Sequence, residues 1–354
     1  MSQYINAVYY PSWRVYKDKP PSCLDVASIT HIFYAFVGVN EDGTLRVRSP
    51  LVKALDEWAD NDKEVDGVKG CLAAIAKLKS ENPHIKTVLS IGGGTSSKEF
   101  PKLAASESAR WTFALAAREF CEKHQLDGVD IDWEHPKDPE AGCNYLRFLE
   151  DIRRALPSPW FLLTSALPVG EYCLRHLDLR AVANALDFLN LMAYDFAGGW
   201  GDVSGHHAQL LPPSRNLDEV YPALRASAHG GVDYLLAHGF PGRKIVLGVP
   251  AYARYFGQAR GPGHPFEGSG EMEYCDLPEQ WVREAHIHEE AATACFVDGE
   301  GGKGFVSFDV ASTVRTKARY AKSMGLGGLF YWHGAGDRTG GESLVASGWS
   351  ELQS

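Results

Sequence analysis

No apolar run in this 354-residue chain approaches the roughly 18 residues that span a bilayer, so no membrane-spanning helix is expected. Positive charge is the next deficit: 35 Lys and Arg stand against 45 Asp and Glu, for a formal net charge of −10. A chain this poor in basic residues lacks the electrostatic face that nucleic acids and anionic membranes demand. A neutral substrate suits it better. No C-x-x-C pair occurs among the seven cysteines (Cys23, Cys71, Cys121, Cys143, Cys173, Cys275 and Cys295). Their odd count and wide spacing argue against a disulfide framework and against a zinc cluster, and free buried thiols are expected. The opening "MSQYINAVYYPSW" has no basic start followed by an apolar stretch, which leaves an intracellular protein, or a secreted one whose signal has been removed. Repeats and low-complexity tracts are also missing, and a monomer is expected.

What is present is a rhythm. Short β-rich runs recur at 5–10, 29–37, 85–93, 128–133, 160–167, 187–194, 244–252 and 327–333, with helical patterns between them at 66–80, 107–124 and 311–324. Near-continuous apolar runs are the mark of strands buried on both faces, as in a parallel sheet. Eight such strands alternating with helices predict an α/β fold, a (β/α)8 TIM barrel. One interval breaks the rhythm. From Phe256 to about Gly304 the chain is rich in Gly, Pro, Glu and His, and some fifty residues is too long for a plain loop. A small α+β insertion between strands seven and eight is expected, with 257–304 as the insertion and 1–256 plus 305–354 as the barrel.

The stretch "LDGVDIDWEHP" (126–136) places four acids in one predicted strand. Side chains alternate along a strand, so Asp130, Asp132 and Glu134 share one face while Val129, Ile131 and Trp133 share the other. In a barrel the acids face the axis. Asp127 falls out of phase, at the strand entry. With a rise of about 3.3 Å per residue, the Cα atoms of Asp132 and Glu134 lie roughly 6.6 Å apart. Desolvated carboxylates this close cannot all ionise, so at least one keeps a proton near neutral pH. Glu134, last in line, falls at the C-terminal mouth where barrel active sites are built.

Acids merely satisfied by lysines or buried water would be expensive in such a row. A metal site of Asp130, Asp132, Glu134 and His135 finds no second ligand cluster elsewhere in the chain. General acid catalysis by a carboxyl of raised pKa fits best. Cleavage of a glycoside uses two carboxyls on opposite sides of the sugar. These acids project from one strand, so the nucleophile must come from elsewhere. A substrate carrying its own, such as a 2-acetamido oxygen, resolves the problem.

"DGVDIDWEHP" resembles the D-G-x-D-x-D-W-E signature of glycoside hydrolase family 18, the chitinases, and the resemblance spans nearly the whole chain. "AVYYPSW" and "YAFV" resemble the family's first two strands, and "SIGGG" its S-x-G-G motif. "LMAYD" is similar to M-x-Y-D, "GVPAYAR" to G-x-P-x-Y-x-R, and "GLGGLFYW" to the closing strand with its tryptophan. The resemblance implies a retaining, substrate-assisted chitinase that needs no cofactor and binds chitin or chitooligosaccharides.

By that resemblance Glu134 protonates the glycosidic oxygen, while Asp132 turns between Asp130 and Glu134 and holds the acetamido N–H. Tyr194 hydrogen-bonds the acetamido carbonyl, with Asp195 beside it on the sugar. Trp332 floors the −1 sugar, and Tyr10, Phe36 and Met192 line the same pocket. Gly93 and Gly94 border the substrate, Tyr252 and Arg254 reach it at −1 and −2, and Trp200 serves the leaving-group subsites. Three positions depart from the family pattern. Gly94 stands where Trp is common, removing a +1 stacking platform. His135 replaces a Tyr, adding a charge that could respond to pH. Ala253 replaces a Gly. Two other readings remain: an endo-β-N-acetylglucosaminidase acting on N-glycans, which shares the acidic motif, and a non-hydrolytic chitin-binding lectin.

Overall fold

The structure, a computed structural model, describes residues 4–46, 64–213, 221 and 224–354. Eight parallel strands close on themselves: Ile5–Pro11, His31–Val39, Lys86–Gly92, Gly128–Asp132, Leu162–Pro168, Phe188–Met192, Ile245–Pro250 and Gly328–Trp332. Closure is made by the first strand, which pairs with the second at Ala7↔His31 and with the eighth at Ile5↔Gly328. All eight are the strands expected from the sequence, and the architecture is a (β/α)8 barrel.

Alternation along each strand sorts the side chains into two cores. Ala7, Tyr9, Phe33, Ala35, Val88, Phe188, Val246 and Phe330 fill the barrel interior. Val8, Tyr10, Val129, Ile131 and Trp133 point outward into the larger core beneath the helices. Burial of each such side chain contributes roughly 1.5–3 kcal/mol. Helices Glu107–His124 and Pro139–Ala155 start where the sequence supplies caps: Ser106 accepts from the Ala109 N–H, and Asp138 accepts from the Ala141 N–H ahead of Pro139.

The helical pattern at 66–80 holds only from Cys71, the helix running Cys71–Glu81. Ahead of it, Glu64–Val65 and Val68–Lys69 pair as a hairpin around Asp66 and Gly67, both at positive φ (53° and 77°). Asp-Gly is the dipeptide such a turn selects, and it overrides the helical spacing around it. All seven cysteines are free; Cys23 and Cys143 are exposed, so not every thiol is buried as expected. Among the described residues no helix is long and apolar enough to cross a membrane.

After Pro250 the chain leaves the barrel for a five-stranded antiparallel sheet in the order Ser269–Glu273, Tyr252–Phe256, Gly304–Phe308, Thr293–Asp298, His286–His288, with a short helix at Glu279–Arg283. Its strand Tyr252–Phe256 and its central strand Gly304–Phe308 lie almost entirely outside the interval 257–304. That placement matters for the site, because Tyr252 and Arg254 ride on the first of them.

Candidate active site

Strand four delivers its acids to the axis in order of depth. Asp130 is fully buried and accepts three hydrogen bonds: from the Tyr9 hydroxyl (2.8 Å) and Ser90 Oγ (2.8 Å) at Oδ2, and from Thr164 Oγ1 (2.7 Å) at Oδ1. Burial pushes its pKa up, and those three donors pull it back toward the anion. Asp132, 4% exposed, is different. Its Oδ1 is buried without a partner, and burial, then the charges of Glu134 and Asp130, drive its pKa well above the usual carboxylate range. The shift favours its protonated form.

Glu134 sits past the strand end. Its N–H donates to Ser97 Oγ (2.8 Å), and that hydroxyl donates to the Gly93 carbonyl (2.9 Å). Burial and the charge of Asp195 raise its pKa, against the pull of the Gly94 N–H. The turn that supplies these groups depends on glycine twice. Gly92 has φ 122° with the Asp132 carbonyl 2.2 Å from where a Cβ would lie, and Gly93 has φ 72° with the Phe36 ring at 2.7 Å.

The opposite wall comes from strand six and the small sheet. Asp195, at φ 61°, accepts from Tyr252 (2.6 Å) and from both ends of the Arg254 guanidinium (Nε 2.6 Å, Nη2 2.8 Å). Burial alone would raise its pKa, but contact with His207 and Arg254 outweighs this and holds the carboxyl well below the usual range. His207 Nδ1 lies 3.7 Å from Asp195, beyond a full hydrogen bond, and Arg254 is the stronger partner. Burial also raises the Tyr194 phenol well above its ordinary value, with Asp132 the next cause, so it remains a hydrogen-bond donor.

These groups line a cavity of about 290 Å³ bordered by Phe36, Gly94, Asp132, Glu134, His135, Met192, Tyr194, Asp195, Tyr252 and Trp332. The Trp332 ring lies 5.6 Å from Phe36 (21° between planes) and 5.6 Å from Tyr9. Peptide bonds 35–36, 134–135 and 332–333 are cis, and each joins a residue that lines the cavity: Phe36, His135 or Trp332. A larger cavity of about 600 Å³, by His206, Pro213 and Glu290, contains none of the barrel-strand acids.

Several expected positions fall elsewhere. Tyr10 does not line the cavity: alternation turns it outward, where its hydroxyl donates to the Lys19 carbonyl (2.9 Å), and Tyr9 takes the inward place. Gly93 is buried under Phe36, and Asp130 lies beneath the cavity. Arg254 stands behind Asp195, and Trp200, 64% exposed, is held at the edge with its ring 4.7 Å from the Arg254 guanidinium. His135 is not charged near neutrality, since burial and Lys137 lower its pKa to about 4. Sequence reasoning missed Tyr9, Ala166, Pro168 and Tyr172. Alternation says that only one of Tyr9 and Tyr10 faces inward but not which; Tyr172, on a short helix after strand five, had no signal.

A closed parallel barrel whose cavity is lined by Asp132, Glu134 and Trp332 is consistent with the class of carbohydrate-cleaving enzymes. Residues 5–337 match Glycosyl hydrolases family 18, and the chain belongs to that family. Endochitinase 1 of Metarhizium anisopliae is 33% identical, over 99% of this chain and 85% of its own. Among solved structures, the catalytic domain of psychrophilic chitinase B from Arthrobacter is similar with TM-score 0.86 and 25% identity, over 99% of this chain and 95% of that one. A Bacillus thuringiensis chitinase is similar with TM-score 0.85 and 27% identity, over 100% of this chain and 70% of that one.

Proposed function

We propose that this protein is a chitinase that hydrolyses β-1,4-linked N-acetylglucosamine with retention, using the substrate's own acetamido oxygen as nucleophile. The observation that carries the reading is the division of labour among the carboxyls. Glu134, at the cavity wall, has its pKa raised by burial and the Asp195 charge, which favours the acid form that donates to the leaving oxygen. Asp132, below it, is biased toward its protonated form and has an unpartnered oxygen. Asp195 is the only other carboxylate bordering the cavity among the described residues, and Tyr252 and Arg254 occupy both its oxygens. No free carboxylate is left to attack the sugar, which is why a neutral nucleophile on the substrate fits.

In this scheme the Glu134 proton moves to the glycosidic oxygen as the C1–O bond breaks. The acetamido carbonyl oxygen closes on C1, Asp132 accepts a hydrogen bond from the acetamido N–H, the Tyr194 hydroxyl donates to the acetamido oxygen, and the carboxylate left on Glu134 balances the positive ring. Water then attacks C1 from the vacated side, breaking the C1 bond to the acetamido oxygen and giving up its proton to Glu134. Trp332 offers an apolar face to the sugar ring, a use of aromatic area suited to an uncharged ligand. The small sheet beside the barrel supplies Tyr252 and Arg254, and we read it as one wall of the substrate groove. The names of the relatives support chitin as the polymer.

Incubation with chitotetraose and with a high-mannose glycopeptide separates the readings. Cleavage of chitotetraose with the β-anomer appearing first by NMR is expected; α-product first, or cleavage of the glycopeptide alone, defeats the proposal.

A further inference from the structure

Beneath the cavity lies one polar residue with no part in these roles. Asn190, on strand six, is fully buried, and its Nδ2 donates to the Tyr9 hydroxyl oxygen at 2.9 Å. Its Oδ1 is buried with no partner. An apolar side chain would avoid leaving a carbonyl unpaired in the barrel interior, so the feature that distinguishes asparagine here is its N–H. A phenol has one proton. With its oxygen receiving the Asn190 amide, Tyr9 directs that proton to Asp130 Oδ2, 2.8 Å away. Turned over, the amide would present Oδ1 and compete with Asp130 for the same proton.

We propose that Asn190 is a positioning residue: by donating to Tyr9 it commits the Tyr9 proton to Asp130, keeps Asp130 the ionised member of the acid pair, and leaves the working proton on Asp132. The proposal rests on the substrate-assisted reading and deepens it.

The surroundings make this donor consequential. The titratable groups facing Asp130 are Tyr9 from strand one, Asp132 on its own strand, Tyr194 from strand six, and Tyr145 from helix Pro139–Ala155. Glu134 and Asp195 act on the same cluster through Asp132 and Tyr194. All are acids or phenols. Among the described residues no lysine or arginine acts on Asp130 or Asp132, so hydroxyl donors alone favour the ionised form of Asp130 against its burial. Ser90 and Thr164 supply two; the third, Tyr9, is the one whose direction a neighbour fixes.

The test is Asn190→Leu, near in shape and unable to donate, with Asn190→Asp as a second variant that draws the Tyr9 proton to itself. Asn190 does not border the cavity. kcat on chitotetraose should fall about tenfold, the scale of one lost hydrogen bond, with KM changed less than about twofold. The acidic limb of the pH–rate profile should move to higher pH, further in Asn190→Asp, because a less supported Asp130 takes up the pair's second proton sooner. Combined with Tyr9→Phe, Asn190→Leu should add no further shift. An unmoved acidic limb, or a shift that adds to that of Tyr9→Phe, overturns the proposal. Failure of the parent to cleave chitotetraose defeats the functional reading instead. Independently of turnover, the ¹³C titration of the Asp130 carboxyl should rise in Asn190→Leu, and an unchanged titration overturns the role of Asn190.

Discussion

Asp130 and Asp132 stand two residues apart on one face of one strand, yet Asp130 accepts three hydrogen bonds and Oδ1 of Asp132 accepts none. Neighbouring carboxylates given unequal partners take unequal protonation, and the proton is favoured on Asp132, whose pKa burial and its acidic neighbours raise the more. A carboxyl whose pKa rises on folding holds protons that the unfolded chain has released, so stability falls as pH climbs above the unfolded value of about 3.9. The steepest such slope for one group is about 1.4 kcal/mol per pH unit. Asp132→Asn, which cannot ionise, should therefore melt above the parent at neutral pH and converge with it toward pH 4, while losing turnover. Thermal melts across that range check the sign; a stability gain that grows in acid contradicts it.

Glu134→Gln should bind chitooligosaccharides as the parent does and lose hydrolysis by at least about 10²–10⁴, the usual contribution of a positioned proton donor. Calorimetry and turnover of a chitotriose analogue read the two effects separately. Activity within tenfold of the parent removes Glu134 from the role of acid.

Arg254 holds Asp195 at 2.6 and 2.8 Å and also backs the Trp200 ring at 4.7 Å. The Asp195 carboxyl is held below its ordinary pKa, so its contribution to stability is present above the unfolded value and drains away as pH falls toward the folded one. Arg254→Gln should flatten that acid dependence and lower kcat/KM by about tenfold or more. Lysine, which lacks the two-pronged fork, should rescue only part. Full rescue by lysine, measured as kcat/KM, argues that charge alone suffices.

Gly94 is exposed, has no positive φ, and a Cβ there would meet Glu134 Oε1 at 3.8 Å, an ordinary contact. The position accepts a side chain, so the glycine is not required by its backbone. Gly94→Trp should melt like the parent, strengthen binding on the leaving-group side by about 0.5–1.5 kcal/mol, and raise the share of transglycosylation products. Product ratios by mass spectrometry decide; unchanged ratios mean that no empty subsite lies beside Gly94.

The amino-acid sequence by itself determined the barrel and its chemistry. Eight buried strands announce themselves by apolar runs, and the spacing of Asp130, Asp132 and Glu134 puts three acids on one face whatever surrounds them. Tertiary structure decided what those acids do. Whether Asp130 or Asp132 carries the proton depends on Tyr9, Ser90 and Thr164, hydroxyls from three other strands that no local pattern links to 130. Tyr9 rather than Tyr10 faces inward because the register of strand one against strands two and eight fixes it, and adjacent tyrosines look alike until that pairing is known. Arg254 reaches Asp195 across a gap of 59 residues only because the chain turns from the barrel into the small sheet at Tyr252. Strand periodicity is a short-range property of the chain, whereas hydrogen-bond partners and burial, which set the protonation of the site, are made by segments that meet only when the barrel closes.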